Sequence, residues 1–139
     1  MKIAILDDHQ DCVRTLDCFA RLHGHEVRVI TASLTEPEAL AARLEGVEAL
    51  VLIRERTRVG RELLGRLPAL RLIAQTGRLG AHVDLQACTE RGVAVSAGEG
   101  APYAPAELTW ALVLTASRGV AHEAAMLRRG PQRAILGLP

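Results

Sequence analysis

The 139 residues, 49% hydrophobic and 24% charged, describe one soluble globular domain and exclude a disordered chain. With 17 Lys and Arg against 16 Asp and Glu, the net charge of +1 provides no long-range positive field, so neither nucleic acid nor an acidic membrane is expected as a partner. The longest apolar stretch, Leu108 to Ala116, is shorter than the roughly 20 residues that span a bilayer, and the N-terminus opens on a strand pattern instead of a signal peptide; the expected location is the cytoplasm.

Lys2 to Leu6 reads as a short apolar strand that stops at Asp7-Asp8, two carboxylates placed to cap the next segment. A helix is expected from about Asp11 to Leu22, its apolar set Cys12, Leu16, Phe19 and Ala20 recurring every three or four residues, with Gly24 suited to the left-handed position after it. Val27 to Ile30 is a second strand. Thr35 and Glu38 form a capping box around Pro37, predicting a helix to about Leu44. Ala49 to Ile53 is a continuous apolar run, the pattern of a strand buried on both faces.

The alternation continues with a helix over Gly60 to Arg66, a strand over Leu70 to Gln75, a helix over Asp84 to Arg91 and a fifth strand over Gly92 to Val95. Such a series predicts a doubly wound, five-stranded parallel α/β sheet with right-handed crossovers and helices on both faces. From Pro105 to Arg129 the chain reads as one long helix, apolar on nearly every side between Leu108 and Ala116, with Gly119 as a weak point. A helix of that kind needs neighbours all round, so a second subunit or a further domain is expected against it. Residues 130–139 read as a linker. The division expected is 1–104, 105–129 and 130–139.

Cys12, Cys18 and Cys88 have no CxxC and no zinc spacing, so no metal site is expected and the thiols are read as small buried hydrophobes. Ligands of open parallel sheets bind beyond the carboxyl ends of the strands. That rule selects Asp7-Asp8-His9, Arg54-Glu55-Arg56-Thr57, Thr76-Gly77-Arg78-Leu79-Gly80 and Ser96-Ala97-Gly98-Glu99-Gly100. Asp7-Asp8 suggests the acidic pair of a response-regulator receiver. Arg54 stands after the third strand where the phosphoaccepting aspartate belongs, however, and Lys2 is the sole lysine. Asp7-Asp8 is therefore read as a solvated turn and helix cap. Arg54 and Arg56 read either as planar forks for a carboxylate or phosphate, or as surface arginines paired with Glu55 or Glu62. The glycines of Thr76 to Gly80 allow close backbone approach and a nest of N–H groups for an anion; as a lone GxxG the segment also reads as a simple turn. It is neither a Walker loop nor a dinucleotide GxGxxG, and Gly98-Glu99-Gly100 lacks the third glycine. His23 and His25 are expected at the surface, and His82 has no acid nearby in sequence to orient it.

Leu70-Arg71-Leu72-Ile73-Ala74-Gln75-Thr76-Gly77-Arg78-Leu79-Gly80-Ala81-His82-Val83-Asp84 resembles the glycine-loop segment of the D-isomer-specific 2-hydroxyacid dehydrogenases. The resemblance extends in order to Leu52-Ile53-Arg54-Glu55-Arg56-Thr57, to Ala87 through Val95, and to Pro105-Ala106-Glu107-Leu108, which is similar to the start of that family's interdomain helix. It departs from the family at Ala81-His82, where an acid is replaced, and at Ser96-Ala97-Gly98, where an N-x-P is replaced.

The resemblance implies a flavodoxin-like substrate-binding domain followed by a long interdomain helix, in a parent oxidoreductase that interconverts a D-2-hydroxy acid and its 2-oxo acid with NAD or NADP. It implies that Gly77, Arg78, Leu79 and Gly80 hold the substrate carboxylate, that Arg54 with Thr57 reaches the same anion or its substituent, and that Thr109 lies near the nicotinamide end of the cofactor. The catalytic Arg, Glu and His of the family belong to a dinucleotide-binding domain beyond these residues, so none is assigned here and the chain alone is expected to be inactive. A homodimer through helix 105–129 is expected. The competing reading is a non-enzymatic flavodoxin-like module that binds a small anion or a partner.

Overall fold

The computed structural model describes residues 1–34 and 36–129. The chain divides into a first compact unit, Met1–Gly100, and a second that begins at Ala101. In the first unit, strands β1 (Lys2–Leu6), β2 (Glu26–Val29), β3 (Ala49–Ile53), β4 (Leu72–Thr76) and β5 (Ala94–Ala97) alternate with helices α1 (Pro37–Arg43), α2 (Arg61–Arg66) and α3 (Leu85–Glu90). All pairings are parallel and the order is β2-β1-β3-β4-β5. This is the flavodoxin-like order, as expected.

Right-handed crossovers in this order send the β2–β3, β3–β4 and β4–β5 connections over one face and the β1–β2 connection over the other. Helices α1, α2 and α3 accordingly pack in a row. Their Leu40, Leu63, Leu64, Ala87 and Cys88 join Ala4, Leu6, Leu50, Leu52 and Ile73 of the sheet in one buried cluster. Ile3, Ile5 and Ala49 are buried outside that cluster. Of the strand expected to be buried on both faces, Ala49, Leu50 and Leu52 are buried, whereas Val51 and Ile53 are half-buried.

The β1–β2 connection departs from the expected helix over Asp11 to Leu22. It consists of two 3-10 turns, Val13–Thr15 and Asp17–Leu22, separated by Leu16 in extended conformation, and neither turn buries a residue. The polar contacts of this segment are local. Thr15 donates its hydroxyl to the Cys12 carbonyl at 2.7 Å, and the Asp8 carboxylate accepts from the N–H groups of Cys12 and Val13. Without an apolar face to bury, so short a segment gains too little to propagate as an α-helix. Cys12 and Cys18 are exposed in consequence, contrary to their reading as buried hydrophobes, while Cys88 is buried as expected.

Element ends shift for identifiable reasons. The N-cap position of α1 is Glu36, with Pro37 as the first helical residue; the capping box expected at Thr35 falls outside the described residues. At the end of α3 the N–H of Gly92 bonds to the Thr89 carbonyl and that of Val93 to the Cys88 carbonyl. This Schellman closure consumes Gly92 and Val93, so β5 begins two residues later than expected.

The second unit holds α4 (Ala104–Ser117) and α5 (Val120–Arg128) in place of one continuous helix. Gly119, at φ +63°, is the N-cap of α5 and separates the two. Leu108, Trp110, Leu112, Val113 and Leu114 of α4 are exposed large hydrophobics. Residues 130–139, read as a linker, lie outside the described residues.

Leu64 is fully buried in the cluster that joins α1–α3 to the sheet. Leu64→Ala is expected to destabilise the chain by about 2–5 kcal/mol, measured as a lower urea midpoint with an unchanged slope.

Candidate anion site at the carboxyl ends of the strands

The four loops singled out by the sheet rule are linked by hydrogen bonds that begin at the end of β1. Asp7 is buried, with φ +60°. Its carboxylate accepts from the hydroxyls of Ser33, after β2, and Thr57, after β3, each at 2.6 Å. Its carbonyl accepts from the Arg56 guanidinium at 2.6 Å. The reading of Asp7-Asp8 as a solvated turn is therefore corrected: both are buried, because a carboxylate supplied with this many donors can leave water. The capping part of that reading is correct for Asp8. The N–H of Val13 is the main influence that holds the Asp8 carboxyl below its usual range, joined by the N–H and thiol of Cys12 and opposed by desolvation. The same contact, followed by desolvation, pushes the Cys12 thiol up. Burial pushes up Cys88.

Arg54 follows β3 and is exposed, with φ +60°. Its N–H bonds to the Thr76 hydroxyl at 3.4 Å, and that hydroxyl donates to the Leu52 carbonyl at 3.0 Å. The Arg54 carbonyl accepts from the Gln75 side-chain amide at 3.1 Å. Arg56 is committed to Asp7, and Glu62 pairs with Arg66, so the alternative pairing of Arg56 with Glu62 is not formed. Thr57 is buried with its hydroxyl on Asp7. It thus positions the loop instead of presenting a group to a ligand.

Beyond β4, Gly77 stands at φ +97°, a conformation that only glycine adopts without strain. Its carbonyl accepts from the N–H of Gly98 at 2.9 Å, which ties the β4 and β5 loops together. Among the described residues, the N–H groups of Arg78, Leu79 and Gly80 donate to no protein acceptor. Three successive free N–H groups after a left-handed glycine suit a small anion. At Gly80 a Cβ would stand 2.6 Å from a Glu55 carboxylate oxygen, so Glu55 lies directly against this residue. Arg54, at the end of the neighbouring strand β3, and Arg78, within the loop, are the arginines nearest to it in the fold that are not bonded to Asp7.

Sequence reasoning missed Gln75 and Asp7 as organisers. The signal for Gln75 was a lone amide inside an apolar strand: it is 6% exposed, and such a group needs partners. His82, left without an orienting acid by the sequence, finds its partner in Gln75, with Nε2 3.0 Å from the amide oxygen.

Among the described residues no group of His, Cys, Asp and Glu could hold a metal ion, and no helix is long and apolar enough to cross a membrane. The Thr109 hydroxyl donates within α4 to the Pro105 carbonyl at 2.7 Å, and Gly98-Glu99-Gly100 continues into Ala-Pro-Tyr.

Residues 3–129 match the family model of the D-isomer specific 2-hydroxyacid dehydrogenase catalytic domain. The chain belongs to this family. It is 32% identical over 132 residues to a D-3-phosphoglycerate dehydrogenase of Methanocaldococcus jannaschii, covering 94% of this chain and 24% of the relative. It is 31% identical over 140 residues to an (S)-sulfolactate dehydrogenase of Chromohalobacter salexigens, covering 96% and 40%. The crystal structure of an oxidoreductase from Ralstonia solanacearum, provisionally named a D-3-phosphoglycerate dehydrogenase, is 56% identical with a TM-score of 0.80 over 96% of this chain and 40% of that one. The chain thus spans well under half the length of these relatives.

The Asp8 carboxyl ionises more readily in the folded than in the unfolded chain. Its contribution to stability is therefore complete above the unfolded value of about 3.9 and is lost as pH falls through the lower folded value. Asp8→Asn is expected to lower the urea midpoint at neutral pH, with a gap to the wild type that narrows as pH falls below the unfolded value of about 3.9. Loss of the thiol–carboxylate contact in this variant also speeds alkylation of Cys12 by iodoacetamide.

Proposed function

We propose that residues 1–129 are the substrate-binding half of an NAD- or NADP-dependent cytoplasmic oxidoreductase that interconverts a D-2-hydroxy acid and its 2-oxo acid. The observation that carries this reading is the loop after β4: Gly77 at φ +97°, followed by the unpaired N–H groups of Arg78, Leu79 and Gly80, with Arg54 on the adjoining strand end. A carboxylate accepts several such N–H bonds at once, and a guanidinium adds a charge-assisted contact to the same anion. In this reading the loop binds the substrate carboxylate. Arg54 neutralises it or a charged substituent, and buried Thr57 holds the Arg54 loop against Asp7.

The cofactor, when bound, supplies or accepts the hydride, and it belongs to residues beyond these. Thr109 is assigned to its nicotinamide end on the family resemblance alone. The exposed apolar residues of α4 follow one another too densely to share a single face, so part of that surface is proposed to pair with a second copy of the chain.

A polypeptide joining these residues to a dinucleotide-binding half is expected to oxidise NADH or NADPH with a 2-oxo acid, and the 139-residue chain alone to give no turnover. Arg54→Ala is expected to raise the KM for the 2-oxo acid about tenfold or more, and Gly77→Ala to do the same by straining the loop. Absence of turnover in the joined polypeptide with every 2-oxo acid tried would favour the non-enzymatic anion-binding module instead. The dimer is checked by light scattering at tens of micromolar: association is expected for the wild type and its loss for Leu112→Lys.

A further inference from the structure

Gln75 and His82 lie behind the anion loop and face no substrate in the reading above, yet they make a continuous hydrogen-bonded chain to Arg54. The Gln75 side-chain nitrogen donates to two carbonyls, Arg54 at 3.1 Å and Thr76 at 3.3 Å. Both N–H bonds of the amide are then in use. The opposite amide orientation would set its oxygen against two carbonyl oxygens, so the oxygen must face His82 Nε2, 3.0 Å away. A carbonyl oxygen only accepts, so His82 carries its proton on Nε2. Among the described residues, Nδ1 of His82 is a buried side-chain polar atom without a hydrogen-bond partner. His82 is itself held in place from its backbone: its carbonyl accepts from the N–H of Val59 at 2.7 Å, beside the Val59–Val83 bridge.

We infer that Gln75 and His82 are positioning residues for Arg54: the Gln75 amide, oriented by the Nε2 proton of His82, clamps the carbonyls of Arg54 and Thr76 and so holds Arg54 in its left-handed conformation beside the anion loop. A non-glycine residue at φ +60° persists only where its surroundings hold it. Here the N–H of Arg54 is fixed by the Thr76 hydroxyl and its carbonyl by Gln75. Both braces come from β4, the strand that leads into Gly77, so the guanidinium of one loop and the N–H nest of the next are set by one short segment. His82 acts as a donor to the Gln75 amide in this arrangement. The role in substrate binding rests on the proposed function; the clamp itself does not.

Two measurements on the 139-residue chain test these levels separately. The first is ring ¹⁵N spectroscopy of His82. The expected spectrum shows a one-bond proton coupling at Nε2; an unprotonated Nε2 would overturn the clamp. His82→Gln, which keeps an N–H donor, is expected to leave the amide resonances of Arg54 and Thr76 in place, whereas Gln75→Leu and His82→Leu shift them. Unmoved resonances in both leucine variants would also overturn it.

The second measurement is an NMR titration with oxalate, a stand-in for the substrate carboxylate. Gln75→Leu and Arg54→Ala are each expected to weaken binding about tenfold, and the double variant no further than either alone, because one change acts through the other. Fully additive losses would refute the positioning role. Failure of the wild-type chain to bind oxalate, or an Arg54→Ala variant that binds it unchanged, would defeat the proposed function and with it the role in binding. The clamp would then be decided by the ring spectrum and the amide shifts.

Discussion

A buried carboxylate has to be surrounded by donors, and at the end of β1 that requirement organises the carboxyl edge of the sheet. Asp7 leaves β1, between β2 and β3, in a left-handed turn and enters a space between the loops that follow those two strands. There it collects one hydroxyl from each, Ser33 and Thr57, while its own carbonyl takes the Arg56 guanidinium. An ionised carboxylate without these partners would be too costly to keep out of water. The partners are available because parallel order places β1 between β2 and β3, so the fold and the polar hub sustain each other.

From that hub the order passes outward strand by strand. Thr57 fixes the loop containing Arg54, which is in turn fixed by Thr76 and Gln75 of β4. The Gly77 carbonyl then holds Gly98 beyond β5. Polar side chains with two bonding roles, such as the Thr76 hydroxyl, carry the connection where main-chain pairing ends. The outcome is a stretch of backbone N–H groups held open beside an arginine. Such a surface suits an anion because its donors are already in place and need little reorganisation on binding.

The second unit obeys different physics. In α4 the large apolar residues face outward, from Leu108 through Leu114, and no capping side chain fixes its start. Helix propensity and main-chain bonds define it locally, while its side chains remain available for burial.

Periodicity and composition were enough to read five strands, the parallel α/β class and the position of every helix that buries an apolar face, because burial of such faces is what stabilises them. Leu40, Leu63, Leu64 and Cys88 declare themselves in this way. The glycine loop and Arg54 were legible too, since loop position follows from strand order and glycine marks the special backbone angles. The 3-10 turns after Asp8 were not. Their apolar spacing imitates a helix, but only the tertiary structure decides whether anything lies opposite to receive it.

Nor could sequence reveal Asp7 as buried or Gln75 as an organiser. Asp7 is separated by 50 positions from Thr57, and Gln75 by 21 from Arg54. A polar residue's partners are chosen by which strand ends the sheet brings together, and that order is not written in the local pattern. The sequence by itself thus determined the five strands, the helices that bury an apolar face and where the glycine-containing loop stands. Tertiary pairing alone determined which polar side chains hold it in shape, because hydrogen bonds act over about 3 Å in space whatever the distance along the chain.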